Sequence, residues 1–209
     1  MSTAQATSQQ PLPVRQVNWR DQWSAALAIV VTVAALLAGL ALRASVESRV
    51  RTYSNPSGLS FQYPDGWQID AREADLGLIR VRYMAAAEYP TTFELRWIAV
   101  DPAMEDVDAL SFAANQLAIN RGREHLAFKV LDVQSRQTIK GLPASTTSYV
   151  LVEDSSGLMR QNLPAVVLGE DIGVRKGERV YIFSWLASEG NRAQTEAAFR
   201  AFVESAKLP

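Results

Sequence analysis

The run Ser24–Leu42, SAALAIVVTVAALLAGLAL, has no charge in 19 residues and constrains this chain more than any other feature. As a helix it rises about 28 Å, close to the hydrocarbon thickness of a bilayer. A helix in a soluble protein normally keeps a polar face, whereas only Ser24 and Thr32 are polar here. Arg20 and Asp21 bound the run on one side and Arg43 on the other, and Trp19 and Trp23 stand at its start. Indole rings prefer the membrane–water interface, so these two are the candidate interface anchors. A transmembrane helix is therefore expected over residues 19–45. The run is longer than the roughly 7–15 residues of a secretory h-region, which favours an uncleaved anchor. Arginines flank both ends, so charge alone does not orient it. Ala34, Ala38 and Ala41 share a stripe, with Ala35 and Gly39 beside it. Small residues at this spacing either admit a partner helix or reflect an alanine-rich anchor.

On either side of the run the chain changes character. Residues 1–18 are polar, contain proline and lack periodicity, as expected of a flexible tail. Residues 46–57 read as a linker that Asn55-Pro56 ends. The remainder, 58–209, is long enough to bury its own core. In GLIRVRYM, Ile79, Val81 and Tyr83 oppose Arg80 and Arg82; in TTFELRWIAV, Phe93, Leu95, Trp97 and Ala99 oppose Glu94 and Arg96. Both are strand patterns. RVYIFSWLAS is apolar on both faces, so it belongs to the middle of a layered structure. Helices are expected over 107–121 and 192–206, where apolar residues recur at steps of three and four. Strands interrupted by two helices predict an α+β fold with a mostly antiparallel sheet.

Chemistry is harder to find. A net charge of −1 does not suit a general nucleic-acid binder. With no cysteine and one histidine, His125, thiolate sites, histidine clusters and most general-base schemes lack material. Asp101, Glu105, Asp106 and Asp108 form an acidic cluster, which reads as helix N-terminal charge rather than a cation site. Glu153-Asp154 and Glu170-Asp171 are expected at solvated strand ends, and GEDIGVRKG as a connection between Leu168 and Arg179. Arg121, Arg123 and His125 read as a charged helix-to-strand loop with the option of a small anion patch. Tyr181, Phe183 and Trp185 are the candidate lining of an apolar pocket, although a helix packed over that face is the simpler expectation. No catalytic, cofactor-binding or metal-binding residues are assigned.

Three segments carry a family resemblance. GLSFQYPDGWQI, from Gly58, resembles the opening hairpin of PsbP-like domains, with Phe61, Tyr63 and Trp67 as core anchors. KGLPASTTSYVLV is similar to their central strand, and KGERVYIFSWLASEGNRAQTEAAFRAFVESAKL to their closing strand and helix. The resemblance implies an αβα sandwich. PsbP is an extrinsic lumenal subunit that stabilises photosystem II, and bacterial relatives are secreted or membrane-attached accessory proteins. No residue roles carry over, because the matching motifs are structural. The expected function is a single-pass, non-catalytic accessory subunit of an integral membrane complex, bioenergetic or photosynthetic in kind. Its partners are that complex and the lipid bilayer, with the amino terminus cytoplasmic and the domain extracytoplasmic. The alternative is a membrane-tethered module holding a small apolar ligand.

Overall fold

A computed structural model describes residues 19–47, 49–74, 77–84, 89–153 and 164–209, with the side chains at 20–22, 25 and 41–47 left aside. The chain divides into two compact units, Met1–Ser48 and Arg49–Pro209.

In the first unit a single helix, α1, runs Trp19–Glu47 over 29 residues. Alanine and leucine dominate it, and Thr32 does not break it because its hydroxyl donates to the Ala28 carbonyl at 2.8 Å, one turn back. The expected helix is present, but its expected role as a membrane span is not shown. Among the described residues no helix is long and apolar enough to cross a membrane. The polar tail expected over residues 1–18 lies outside the described residues.

The second unit is an α+β fold in which helices flank an antiparallel sheet. Strand β1 (Val50–Ser54) pairs with β2 (Ser60–Pro64) in a two-stranded ribbon. The other strands are β3 (Gln68–Asp70), β4 (Leu78–Tyr83), β5 (Thr91–Ala99), β6 (Ala127–Ile139), β7 (Leu142–Glu153), β8 (Ala165–Lys176) and β9 (Arg179–Ser188). They form one seven-stranded sheet in the order β3-β4-β5-β9-β8-β7-β6. Helix α2 (Asp106–Glu124) carries the chain from β5 to the far edge. Hairpins then return it until β9 closes against β5, and α3 (Glu189–Ser205) packs on the opposite face.

Alternation along β9 divides the core in two. Val180 and Ile182 meet Leu110, Ala113 and Leu117 of α2. Tyr181, Phe183 and Trp185 meet Phe199, Phe202 and Val203 of α3, joined there by Phe93 of β5 and Phe61 of the ribbon. Phe202 is the hub, with ring centroids 4.9 Å from Phe61, 5.5 Å from Phe93 and 5.6 Å from Phe183.

Three local expectations change. The linker expected over 46–57 contains β1, so the folded unit begins at Arg49 and not at 58. The aromatic segment from Gly58 is a corner rather than a hairpin: β2 pairs with β1, and β3 leaves to pair with β4. Gly66 (φ 84°) makes that corner possible, because a side chain is disfavoured there. Phe61 and Tyr63 are buried, whereas Trp67 is half-buried between Tyr83 and Phe93. Finally, GEDIGVRKG is no connection. Gly169–Lys176 runs through β8, between β7 and β9, and Glu170 and Asp171 are buried there rather than solvated at a strand end.

Gly169 shows how closely this sheet is packed. The Tyr149 ring of β7 lies directly on it, and a Cβ at 169 would stand 2.0 Å from Tyr149 Cε2. Tyr149 cannot withdraw easily, being fully buried with its hydroxyl bonded to Asp171. Gly169→Ala is therefore expected to destabilise the domain by about 3 kcal/mol or more, at the upper end for overpacking. Gly190→Ala, with open space at the start of α3, should leave stability within about 1 kcal/mol of the parent. Chemical denaturation of both variants measures the contrast.

Candidate functional site: an arginine-lined cleft on the sheet

Helix α2 packs on β6, β7, β8 and β9 and reaches β5 at Ile98; among the described residues no helix covers the same face of β4 or of Thr92–Arg96 in β5. On that bare half the outward positions of the two strands are Arg80, Arg82, Thr92, Glu94 and Arg96. They are the polar phases of the alternation that buries Ile79, Val81, Phe93 and Leu95 on the other side. Register sets Arg80 directly opposite Glu94. The carboxylate takes Arg80 Nε at 2.7 Å on one oxygen and Arg96 NH2 at 3.1 Å on the other. Burial pushes the Glu94 carboxyl up, but the Arg96 charge and the Arg80 hydrogen bond outweigh it, so the group lies below its usual range.

The rest of the enclosure comes from the end of α2 and the ends of β5 and β7. It holds about 510 Å³, with Tyr89 and Pro90 just before β5, Arg121 and Glu124 in the last turn of α2, His125 just beyond it, and Glu153 at the end of β7. Tyr89 is pushed up to about 12, first by burial and then by the Glu153 and Glu94 charges, so its hydroxyl stays protonated. His125 Nδ1 lies 2.6 Å from Glu153 Oε2.

Arg121 links this cleft to the interior. It is buried and bidentate on Asp171, with NH2 2.9 Å from Oδ1 and NH1 on Oδ2. NH2 also donates to Ser184 Oγ at 3.0 Å, and the guanidinium carbon lies 4.2 Å over the Tyr149 ring. Burial opposes the charge on Arg121, but Asp171 and Tyr149 raise it well above the usual range, so it remains a cation throughout. The expected helix ended at Arg121, with a charged loop from there to His125; α2 instead continues to Glu124, so Arg121 and Arg123 both lie in its last turn. Glu170, one residue along β8, points to the α3 face and pairs with Arg192 at 3.1 Å and Arg200 at 3.0 Å.

The sequence-predicted positions lie elsewhere. Tyr181, Phe183 and Trp185 are buried under α3, and Trp185 Nε1 donates to Thr195 Oγ1 at 3.2 Å. Of the three, only Phe183 borders an opening of about 300 Å³ beside Val203 and Leu208. Trp19 and Trp23 are exposed with ring centroids 6.0 Å apart. Ala34, Ala35, Ala38 and Gly39 are exposed along α1, and the Ala41 side chain lies outside the described residues, as does Asp154. In the acidic cluster, Asp106 pairs with Arg175 at 3.0 Å and Asp101 caps the Ala103 amide at 2.8 Å. Among the described residues no three acids or histidines are grouped to hold a metal ion. The cleft was missed because its signal, charges of opposite sign on the polar phases of two strands, has meaning only once their register is known.

No family model and no curated protein matches the chain. Solved structures do. Cyanobacterial PsbP (CyanoP) from Synechocystis sp. PCC 6803 aligns with a TM-score of 0.55 at 13% identity, covering 77% of this chain and 92% of that one. The Saccharomyces cerevisiae Ran-binding protein Mog1p aligns at 0.49 and 11%, covering 77% and 95%. LpqN of Mycobacterium tuberculosis, involved in cell envelope biogenesis, aligns at 0.45 and 13%, covering 77% and 91%. At these identities the likeness establishes the fold alone.

Two outcomes follow from the ion pairs. Removing one partner of a buried pair strands the other, so Asp171→Asn should lose roughly 3–5 kcal/mol in a denaturant melt. The double variant Arg121→Met, Asp171→Leu should recover most of that loss. Glu94 makes a pH prediction. Because its folded carboxyl lies below the unfolded value of 4.5, its contribution is complete above that pH. The contribution is lost as pH falls through the folded value. Thermal melts from neutral to acid pH should show a shallower acid limb in Glu94→Gln. Asp70, also held below its usual range by Arg72, keeps part of the limb in place.

Proposed function

We propose that the chain is a membrane-tethered accessory subunit without catalytic activity, in which α1 anchors the protein and the sandwich covers a partner's surface outside the bilayer. The observation that carries this reading is the uncharged run Ser24–Leu42, contained in one continuous helix of 29 residues. Its described side chains are exposed all round, with Leu27, Ile29, Val30, Leu36, Leu37 and Leu40 each at least 61% accessible. A helix that is apolar on every side requires lipid or protein around it. The small-residue stripe at Ala34, Ala38 and Ala41 offers a partner helix close approach. The interior of the sandwich fits a structural role, since its buried carboxylates Glu94, Glu170 and Asp171 are each engaged by arginine. Its fold is shared with cyanobacterial PsbP, which agrees with an accessory part and supplies no residue roles. The amino terminus is assigned to the cytoplasm and the domain to the extracytoplasmic face.

Fractionation of cells expressing the full chain checks this. The protein should sediment with membranes, resist alkaline carbonate and migrate in mild detergent well above its own 23.0 kDa plus micelle. Val31→Arg with Leu36→Arg should release it into the soluble fraction, as charges at a helix centre oppose insertion. Release of the unmodified chain by carbonate would remove the anchor, and migration alone in every detergent would remove the partner.

A further inference from the structure

We propose that the cleft beside α2 is a binding site for a small ligand bearing a phosphate-type oxyanion, with Arg82 and Arg96 as its anion-holding groups. The inference goes beyond the accessory role and does not depend on it. Its basis is a count of unused hydrogen-bonding capacity on the bare half of the sheet. Both oxygens of Glu94 are taken, one by Arg80 and one by Arg96, so this carboxylate positions two arginines and accepts little more. Arg96 Nε is buried and has no hydrogen-bond partner among the described residues. Arg82 lines the cavity, is half-buried and has no hydrogen bond or ion pair among the described residues; its charge acts on Tyr89 within the cleft and on Asp70 of β3. Tyr89 adds a hydroxyl that stays protonated across the physiological range.

What remains free on this wall therefore donates, and a ligand that accepts is the complement. A planar guanidinium fork matches the paired oxygens of a phosphate or carboxylate group. The enclosed volume of about 510 Å³ suits a small molecule, not a protein segment wrapped over a flat face. At the opposite wall stand Glu124 and Glu153, whose buried Oε2 lies 2.6 Å from His125 Nδ1 but has no hydrogen-bond partner among the described residues; they limit the space for a second negative group and would meet the donating or cationic end of the ligand. One oxyanion at the sheet and a neutral or basic remainder toward α2 is the composition that fits.

The test titrates the full chain in non-ionic detergent with inorganic phosphate, and separately with monomeric dihexanoyl phosphatidylglycerol, by calorimetry. Saturation below about 10 mM is expected, weakened at least about tenfold by Arg82→Gln. Arg72→Gln, at an exposed arginine outside the cleft, should leave it unchanged. Binding of phosphate alone identifies a soluble ligand, and equal or tighter binding of the short lipid with the same dependence on Arg82 identifies a lipid headgroup. Absence of saturation by both probes overturns the site, as does equal weakening by the two arginine variants. If Arg82→Gln lowers the melting temperature, Arg82→Lys decides. Weaker binding at an unchanged melting temperature supports the site, and unchanged binding overturns it.

Discussion

The Arg121–Asp171 pair is the constraint on which the arrangement of the sandwich depends. Asp171 lies near the middle of β8, flanked by Thr147 of β7 and Ser184 of β9, where α2 packs over the sheet and leaves its side chain only 11% exposed. A carboxylate in that position needs a cation, and the last turn of α2 delivers one. Satisfying it ties four elements together: Arg121 from α2, Tyr149 from β7, Asp171 from β8 and Ser184 from β9. Gly169 belongs to the same requirement, because only a residue without a side chain lets the Tyr149 ring lie close enough for its hydroxyl to reach Asp171. The bidentate pair fixes the position of the last turn of α2 over β8. The net stability such a pair adds is small, so its effect is on register and position.

Much of this architecture was legible from alternation. Ile79/Val81, Phe93/Leu95 and the doubly apolar β9 announced their strands, and the steps of three and four in α2 and α3 announced the helices, because each segment has one face in the core. What failed did so for a shared physical reason. Glu170 and Asp171 have the composition of a turn, and single-sequence reading assigns charge to solvent; only the distant Arg121, Arg192 and Arg200 make burial tolerable. Asn55 and Pro56 read as the end of a linker, but they turn the chain between β1 and β2; β1 was lost because its pairing with β2, and not its own pattern, makes it a strand. Trp67 reads as a core anchor from its type but sits half-buried at a corner. Long-range partners are what the linear pattern leaves out.

The same limit hid the cleft. Arg80, Arg82, Glu94 and Arg96 are ordinary solvent-facing residues while each strand is considered alone. Antiparallel pairing sets Arg80 across from Glu94, and the offset of the two helices then decides what becomes of them. Helix α3 and the ribbon cover β5, β9 and β8 on one face, and α2 covers β6 to β9 on the other. Among the described residues the edge half of the α2 face carries no helix.

That offset gives the polar half of the sheet its chemistry. Had α2 crossed β4 and β5, the three charges of Arg80, Glu94 and Arg96 would have had to be buried with one cation in excess, which a low-dielectric interior penalises heavily. With α2 displaced, the excess cation and the neighbouring Arg82 keep access to the cavity, while Glu94 holds the first two in fixed geometry. A surface cation is normally screened by water and mobile on its own stem. Here a buried carboxylate and a sheet backbone remove much of that freedom before anything binds, so less entropy is lost when an anion arrives. The carboxylate that offsets part of the cleft's positive charge is thus what preorganises it.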